Sequence, residues 1–350
     1  MIKVLVVDDS AFMRKLISDF INGESDMTVL ETARNGKDAL LKLEKAAYDV
    51  VTLDIEMPEM NGIDALREIM KGTPLPVLMV SSLTTEGAQQ TITAMEEGAV
   101  DFIAKPSGSI SLDLHHVKDE ILFKIRAAAG AKVEQVTSVS TRSPMHTEDR
   151  IGTASITAEK KILAIAASTG GPKALQKVLP LLPKDFAAPI FIVQHMPPTF
   201  TKSLAERLNH ISSIHIKEAE DGEIAKKGTA YIAPGGSHLK VKKMGRSLIV
   251  EVTDSAPVNG HRPSADELFL SLSDIAGYGL VGVVLTGMGY DGAQGLKEMK
   301  NKQSCIAVTE SAKTSVVYGM PKVAREKANS DYSLDLNDIA DFLNNQIVWE

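Results

Sequence analysis

Ser168, His195 and Asp291 each follow an apolar run that reads as a strand. Ile162-Leu163-Ala164-Ile165-Ala166-Ala167 leads into Ser168-Thr169-Gly170-Gly171-Pro172, and Ile190-Phe191-Ile192-Val193 into Gln194-His195. Leu280-Val281-Gly282-Val283-Val284-Leu285 leads into Thr286-Gly287-Met288-Gly289-Tyr290-Asp291-Gly292. A serine hydroxyl alone is a weak nucleophile. It becomes a strong one when an imidazole takes its proton and a carboxylate orients that imidazole. Strand carboxyl ends share one edge of a parallel sheet, so the three side chains can meet there. Ser168 also stands where a strand stops and a helix begins, near backbone N–H groups able to hold an oxyanion. The run Ala166-Ala167-Ser168-Thr169-Gly170 is that of a nucleophile elbow with alanine in place of the first glycine. Plainer readings stay open. Ser168 could cap the helix that begins near Pro172, His195 could line a turn, and Asp291 could cap the helix after Gly292. Gly287 to Gly292 also fits G-x-G-x-x-G, with Glu310 ending the next strand, which keeps a dinucleotide enzyme as an alternative. His238 and His261 sit on loops that can rim a cleft.

A second constellation lies earlier. Asp8 and Asp9 follow Val4-Leu5-Val6-Val7, Asp54 ends Val50-Val51-Thr52-Leu53, Ser81 follows Val77-Leu78-Met79-Val80, and Lys105 follows Asp101-Phe102-Ile103-Ala104. Converging carboxylates repel unless a cation neutralises them, and hard oxygen ligands suit Mg²⁺. A carboxylate so placed can attack a phosphoryl group in line. The lysine and the metal then balance the phosphate charge, and the serine hydroxyl bonds a phosphate oxygen.

The elements that must position these groups alternate strand and helix through both parts of the chain. This predicts an α/β protein of two doubly wound parallel-sheet domains. Between them Val136-Thr137-Ser138-Val139-Ser140-Thr141-Arg142-Ser143-Pro144 is polar, rich in Ser and Thr and aperiodic, as a linker is. The boundaries read as 1–128 for the first domain, 129–158 for the linker and 159–350 for the second domain. In the second domain a hairpin is expected across Met244-Gly245-Arg246, with late helices from Val316 to Lys327 and from Leu336 to Asn345.

The 350 residues are 44% hydrophobic and 24% charged, as in ordinary globular chains. A net charge of −7 argues against general nucleic-acid binding. No apolar run approaches the ~18 residues of a membrane span, and the N-terminus reads as a strand and not a secretory signal. The single cysteine, Cys305, lies in an apolar run and is expected to be buried and inert. A cytoplasmic location is expected.

Leu5-Val6-Val7-Asp8-Asp9-Ser10, Leu53-Asp54-Ile55-Glu56-Met57-Pro58-Glu59-Met60-Asn61-Gly62 and Lys105-Pro106 resemble the response-regulator receiver domain. The resemblance implies a flavodoxin-like fold with Asp54 as phosphoacceptor. Asp9, Asp54 and the carbonyl of Glu56 would hold Mg²⁺ with Asp8 in support, and Ser81, Phe102 and Lys105 would form the switch. The second domain resembles the chemotaxis protein-glutamate methylesterase (CheB) family. The resemblance rests on Ala167-Ser168-Thr169-Gly170-Gly171-Pro172, Gln194-His195-Met196, Tyr231-Ile232-Ala233-Pro234-Gly235, His261-Arg262-Pro263-Ser264-Ala265-Asp266 and the run from Thr286 to Ala293. It implies a Rossmann-like serine esterase with Ser168, His195 and Asp291 as triad and Thr169 and the Met288 N–H in support. No cofactor is implied for the ester chemistry. The implied substrates are methyl-accepting chemotaxis receptors, demethylated at glutamate esters and deamidated at glutamines. A chemotaxis histidine kinase is the implied phosphate source. No nucleic acid, no membrane insertion and a monomer are expected. The receiver is expected to cover the esterase cleft until Asp54 is phosphorylated. A non-enzymatic scaffold is the remaining alternative.

Overall fold

The computed structural model describes residues 1–105, 114–133 and 160–349. The chain divides into two compact units, Met1–Thr141 and Arg142–Glu350. Most of the expected linker, and Pro106 of the Lys105-Pro106 pair, lie outside the described residues.

The first unit runs β1 (Ile2–Val7), α1 (Ala11–Asn22), β2 (Met27–Ala33), α2 (Gly36–Leu43), β3 (Val50–Asp54), α3 (Gly62–Lys71), β4 (Val77–Ser81), α4 (Thr85–Glu96), β5 (Asp101–Ala104) and α5 (Leu114–Ala129). All strand pairs are parallel, in the order β2-β1-β3-β4-β5. Val4, Leu5 and Val6, with Val50, Val51 and Leu53, are fully buried because helices cover both faces of the sheet. The turns out of the strands stop cleanly because a polar side chain takes the first free helix N–H. Ser10, Asn35, Asn61 and Thr84 accept from Met13, Asp38, Asp64 and Gly87 respectively. The order reverses between β1 and β3, the crevice where doubly wound sheets bind ligands. Gly62 must be glycine, since a Cβ there would collide with the carbonyl of Asp54.

The second unit runs β6 (Lys161–Ala167), α6 (Gly171–Val178), β7 (Ile190–Gln194), α7 (Phe200–Ile211), β8 (His215–Glu218), β9 (Thr229–Ile232), β10 (His238–Met244) and β11 (Ser247–Thr253). It continues with α8 (Ala265–Ser273), β12 (Gly279–Val284), α9 (Ala293–Lys302), β13 (Cys305–Glu310), α10 (Met320–Ala328), β14 (Tyr332–Leu334) and α11 (Leu336–Asn345). Seven parallel strands lie in the order β14-β13-β12-β6-β7-β9-β8. The order reverses at β6, which has β12 on one side and β7 on the other. The expected hairpin forms as β10–β11, with Gly245 at φ 60° in its turn. It packs Val241 and Val250 into the same core as Leu268, Phe269 and Leu272 of α8.

The late helix begins at Met320, not Val316. Pro321 starts it, and the preceding residues go instead to bonds with the strand-end loop, including Gly287 N–H to Val317 O at 3.1 Å. Cys305 is half-buried as a residue and not enclosed as expected, but its thiol is desolvated and pushed up to about 12, which keeps it inert. Among the described residues no helix is long and apolar enough to cross a membrane.

Candidate functional site

Ala167 and Gln194 are register partners on β6 and β7, so Ser168 and His195 leave adjacent strands side by side. The turn after β6 is held tightly. Ser168 N–H donates to the Thr286 carbonyl at 3.1 Å, and Thr286 Oγ1 donates to the Thr169 carbonyl at 2.9 Å. Gln194 Nε2 donates to the carbonyls of Ser168 at 3.0 Å and His195 at 3.3 Å, tying the two turns together. Gly287 lets the loop after β12 close on the serine, because a Cβ there would lie 2.8 Å from Ser168 Cβ.

Neither helix-cap reading holds. The α6 N-cap is Gly170, in the left-handed region, with no side-chain cap bond, and Pro172 opens the helix. The α9 N-cap is Gly292, also without one. Asp291 instead reaches the N-terminus of a different helix, α8. Its Oδ1 accepts from Ser264 Oγ at 2.7 Å, Asn259 Nδ2 at 3.1 Å and Asp266 N–H at 3.2 Å. Its Oδ2 accepts from Ala265 N–H at 2.6 Å and meets His195 Nε2 at 2.8 Å. Burial by itself would raise the Asp291 pKa. The hydrogen bond and charge of His195, then Ser264 and the Ala265 N–H, outweigh it and hold the carboxyl well below the usual carboxylate range.

An anionic Asp291 can only accept, so His195 Nε2 carries a proton, and Nδ1 is the nitrogen whose lone pair the neutral imidazole offers. Nδ1 is buried and has no hydrogen-bond partner among the described residues. The backbone N–H of Met288 likewise makes no hydrogen bond among them. The arrangement can therefore offer a base for a hydroxyl proton and, from the loop after β12, a donor free to meet developing negative charge.

Sequence reading missed the groups that hold this set. Ser264, Asn259 and Gln194 carried no role, although the run His261 to Asp266 stood out as a motif. His238 does not rim the cleft. It is fully buried, accepts from the Ser264 N–H at 3.2 Å and lies 3.1 Å from the Ala256 carbonyl. Glu310 faces no ribose site either. It is fully buried and accepts from the Thr286 N–H at 2.8 Å and Thr314 Oγ1 at 3.0 Å. Burial pushes its carboxyl from 4.5 to about 7. A raised folded-state pKa costs stability as pH rises from 4.5 through about 7. Glu310→Gln is therefore expected to raise Tm at pH 8 by about 2–4 °C and to change it little at pH 4.5. An equal shift at both pH values in thermal melts would mean that burial does not disfavour the Glu310 carboxylate.

In the first unit Lys105 Nζ lies 2.7 Å from Asp54 Oδ2 and 3.6 Å from Asp8 Oδ2. Carboxylate oxygens of Asp8, Asp9 and Asp54 lie within 4.8 Å of one another. Burial pushes Asp54 up to about 6 against the hydrogen bond from Lys105, and pushes Asp8 up against the Lys105 charge. Asp8 Oδ2 is buried without a hydrogen-bond partner among the described residues. Hard oxygens, an orphaned acceptor and carboxylates crowded out of water fit a divalent cation such as Mg²⁺. Glu56 is exposed beside them. Ser81 Oγ donates to the Gly87 carbonyl at 3.0 Å, so it is not turned to Asp54. Phe102 is buried, with Lys124 Nζ 4.9 Å from its ring centre.

Fold and geometry together define a class: a receiver unit joined in one chain to an α/β unit with a serine, histidine and aspartate at neighbouring strand ends. Comparisons narrow it. The "Response regulator receiver domain" family matches residues 4–115, and the "CheB methylesterase" family matches residues 163–343. The protein-glutamate methylesterase/protein-glutamine glutaminase of Oceanobacillus iheyensis is 50% identical over 352 residues, covering 99% of each chain. The protein of that name from Halalkalibacterium halodurans is 52% identical over 340 residues, covering 97% of this chain and 96% of its own. The crystal structure of the Thermotoga maritima CheB methylesterase catalytic domain is 42% identical with a TM-score of 0.52, covering 54% of this chain and 99% of that one. The chain belongs to the CheB methylesterase family and carries a response regulator receiver domain ahead of its methylesterase domain.

Proposed function

We propose that this chain is a phosphorylation-activated protein-glutamate methylesterase and protein-glutamine glutaminase acting on chemotaxis receptors. The observation that carries the proposal is the His195–Asp291 hydrogen bond, which leaves His195 Nδ1 unpartnered among the described residues at the strand end next to that of Ser168. Ser168 Oγ attacks the carbonyl of a glutamate methyl ester while Nδ1 takes its proton. The tetrahedral oxyanion is met by the Met288 N–H, with Thr169 in support. When the C–O bond breaks, His195 returns the proton to the methoxide, and methanol leaves. Water then attacks the acyl-enzyme with His195 again as base, which frees the glutamate and Ser168. With a glutamine substrate the same steps release ammonia.

Control comes from the receiver. Asp54 Oδ attacks the phosphorus of a donor, in the cell a phosphohistidine of a histidine kinase, and the P–N bond breaks as the histidine leaves. Asp9, Asp54 and the Glu56 carbonyl, with Asp8 in support, would hold Mg²⁺, which would supply charge neutralisation. Lys105 leaves its pairing with the Asp54 carboxylate for a phosphate oxygen, and Ser81 gives up the Gly87 carbonyl to do the same. Phe102 packs behind this change.

Methanol release from methylated receptor, with and without a small acyl phosphate and Mg²⁺, tests the whole reading. The donor is expected to raise release in the native chain and to do nothing for Asp54→Asn, whose unstimulated rate stays near native. Stimulation that survived Asp54→Asn would move the phosphoacceptor elsewhere. Absence of methanol under every condition would overturn the esterase assignment.

A further inference from the structure

One aromatic contact at this site has no part in the proton transfers above. The rings of His195 and His261 stack with centroids 4.0 Å apart and planes 12° apart. His261 is presented by a rigid device. Val258 and His261 exchange both backbone hydrogen bonds, at 3.0 and 2.9 Å, around Asn259 and Gly260. Those two residues have φ of 53° and 79°, the left-handed pair that closes a tight two-residue turn. The Asn259 side chain is itself pinned, donating to Asp266 Oδ2 at 2.8 Å and Asp291 Oδ1 at 3.1 Å. The turn that places the His261 ring is thus bolted to the carboxylate that bonds His195.

A single hydrogen bond fixes a point on a ring and not its plane. With hydrogen bonding among the described residues at Nε2 alone, the His195 imidazole can swing about that contact and change where Nδ1 points. A flat ring 4.0 Å from its face removes that swing. The same π face lies against the imidazolium that forms on His195 during attack, where an aromatic face attracts positive charge.

We propose that His261 is a positioning residue for His195: its ring sets the plane of the base and stabilises the imidazolium. The proposal rests on the triad reading above, deepening it by one residue. It requires a flat aromatic face at position 261.

The test uses the full chain with an acyl phosphate and Mg²⁺, comparing native protein with His261→Phe, His261→Leu and His261→Ala. His261→Phe is expected to keep kcat within about threefold of native. His261→Leu fills similar volume without a flat face. It and His261→Ala are expected to lose roughly tenfold in kcat with KM unchanged. Imidazole ¹⁵N NMR supplies a readout that needs no turnover. His195 is expected to hold its Nε2–H tautomer in native chain and His261→Phe, and to average between states in His261→Leu. Equal rates for Phe and Leu would reduce His261 to packing and overturn the proposal, as would a Phe variant as slow as Ala. If His261→Ala fails to fold, the Phe–Leu comparison still decides. A native chain that released no methanol, with the His195 spectrum as expected, would place the failure in the esterase reading and not in the stack.

Discussion

Ser168→Ala is expected to lower phosphodonor-stimulated methanol release by about 10⁴-fold or more while leaving the fold intact. The two halves of that expectation have separate causes. The backbone of Ser168 is structural: its N–H bonds the Thr286 carbonyl, and its carbonyl accepts from Gln194 Nε2 and Gly171 N–H. Alanine keeps all of these. The hydroxyl makes no hydrogen bond among the described residues and caps no helix. Its loss is therefore expected to change stability by no more than about 0.5 kcal/mol. Without the nucleophile no acyl-enzyme forms, and only donors such as the Met288 N–H remain to assist direct attack by water. Stopped assays of methanol release beside a denaturant titration check both halves. Near-native release from the variant would remove Ser168 from the mechanism.

Asp291→Asn is expected to be nearly as damaging to catalysis, about 10⁴-fold, and to cost stability as well, about 2–4 kcal/mol. The carboxylate accepts from donors on both oxygens. An amide has one acceptor oxygen and an NH₂ that donates. With the NH₂ at the Oδ2 position it opposes the Ala265 N–H and forces His195 to accept at Nε2. The proton then moves to Nδ1, and the free base nitrogen is lost. With the NH₂ at the Oδ1 position it opposes the Asp266 N–H and the Asn259 amide. Either orientation strands a buried donor at the N-terminus of α8. Release within tenfold of native, or an unchanged denaturation midpoint, would show that this buried anion is not the support described here.

Much of the fold was legible because its signals are local. Apolar runs ending in polar turns marked β1, β3 to β7, β12 and β13, since a strand covered on both faces must be apolar throughout. The glycine turn of β10–β11 read correctly for the same reason. The short strand β8 escaped notice because an edge strand needs one buried face, and only Ile216 among its residues is buried. The start of α10 was misplaced because residues from Val316 to Gly319 find backbone partners across the sheet edge, which outweighs their helical pattern.

The candidate sites divide in the same way. Sequence determined the ingredients: which strand ends carry Ser168, His195 and Asp291, and which carry Asp8, Asp9, Asp54 and Lys105. Residue types at strand ends are a one-dimensional property. Tertiary structure alone decided that β6 lies between β12 and β7, so that the strand ends carrying the three residues are neighbours. It alone turned Asp291 away from its own helix to the N-terminus of α8, which fixes the histidine tautomer. It also brought His261 face to face with His195 across 66 positions of sequence. Such contacts depend on strand order and on the path of the loop from Asp254 to Ser264, and no local periodicity encodes either.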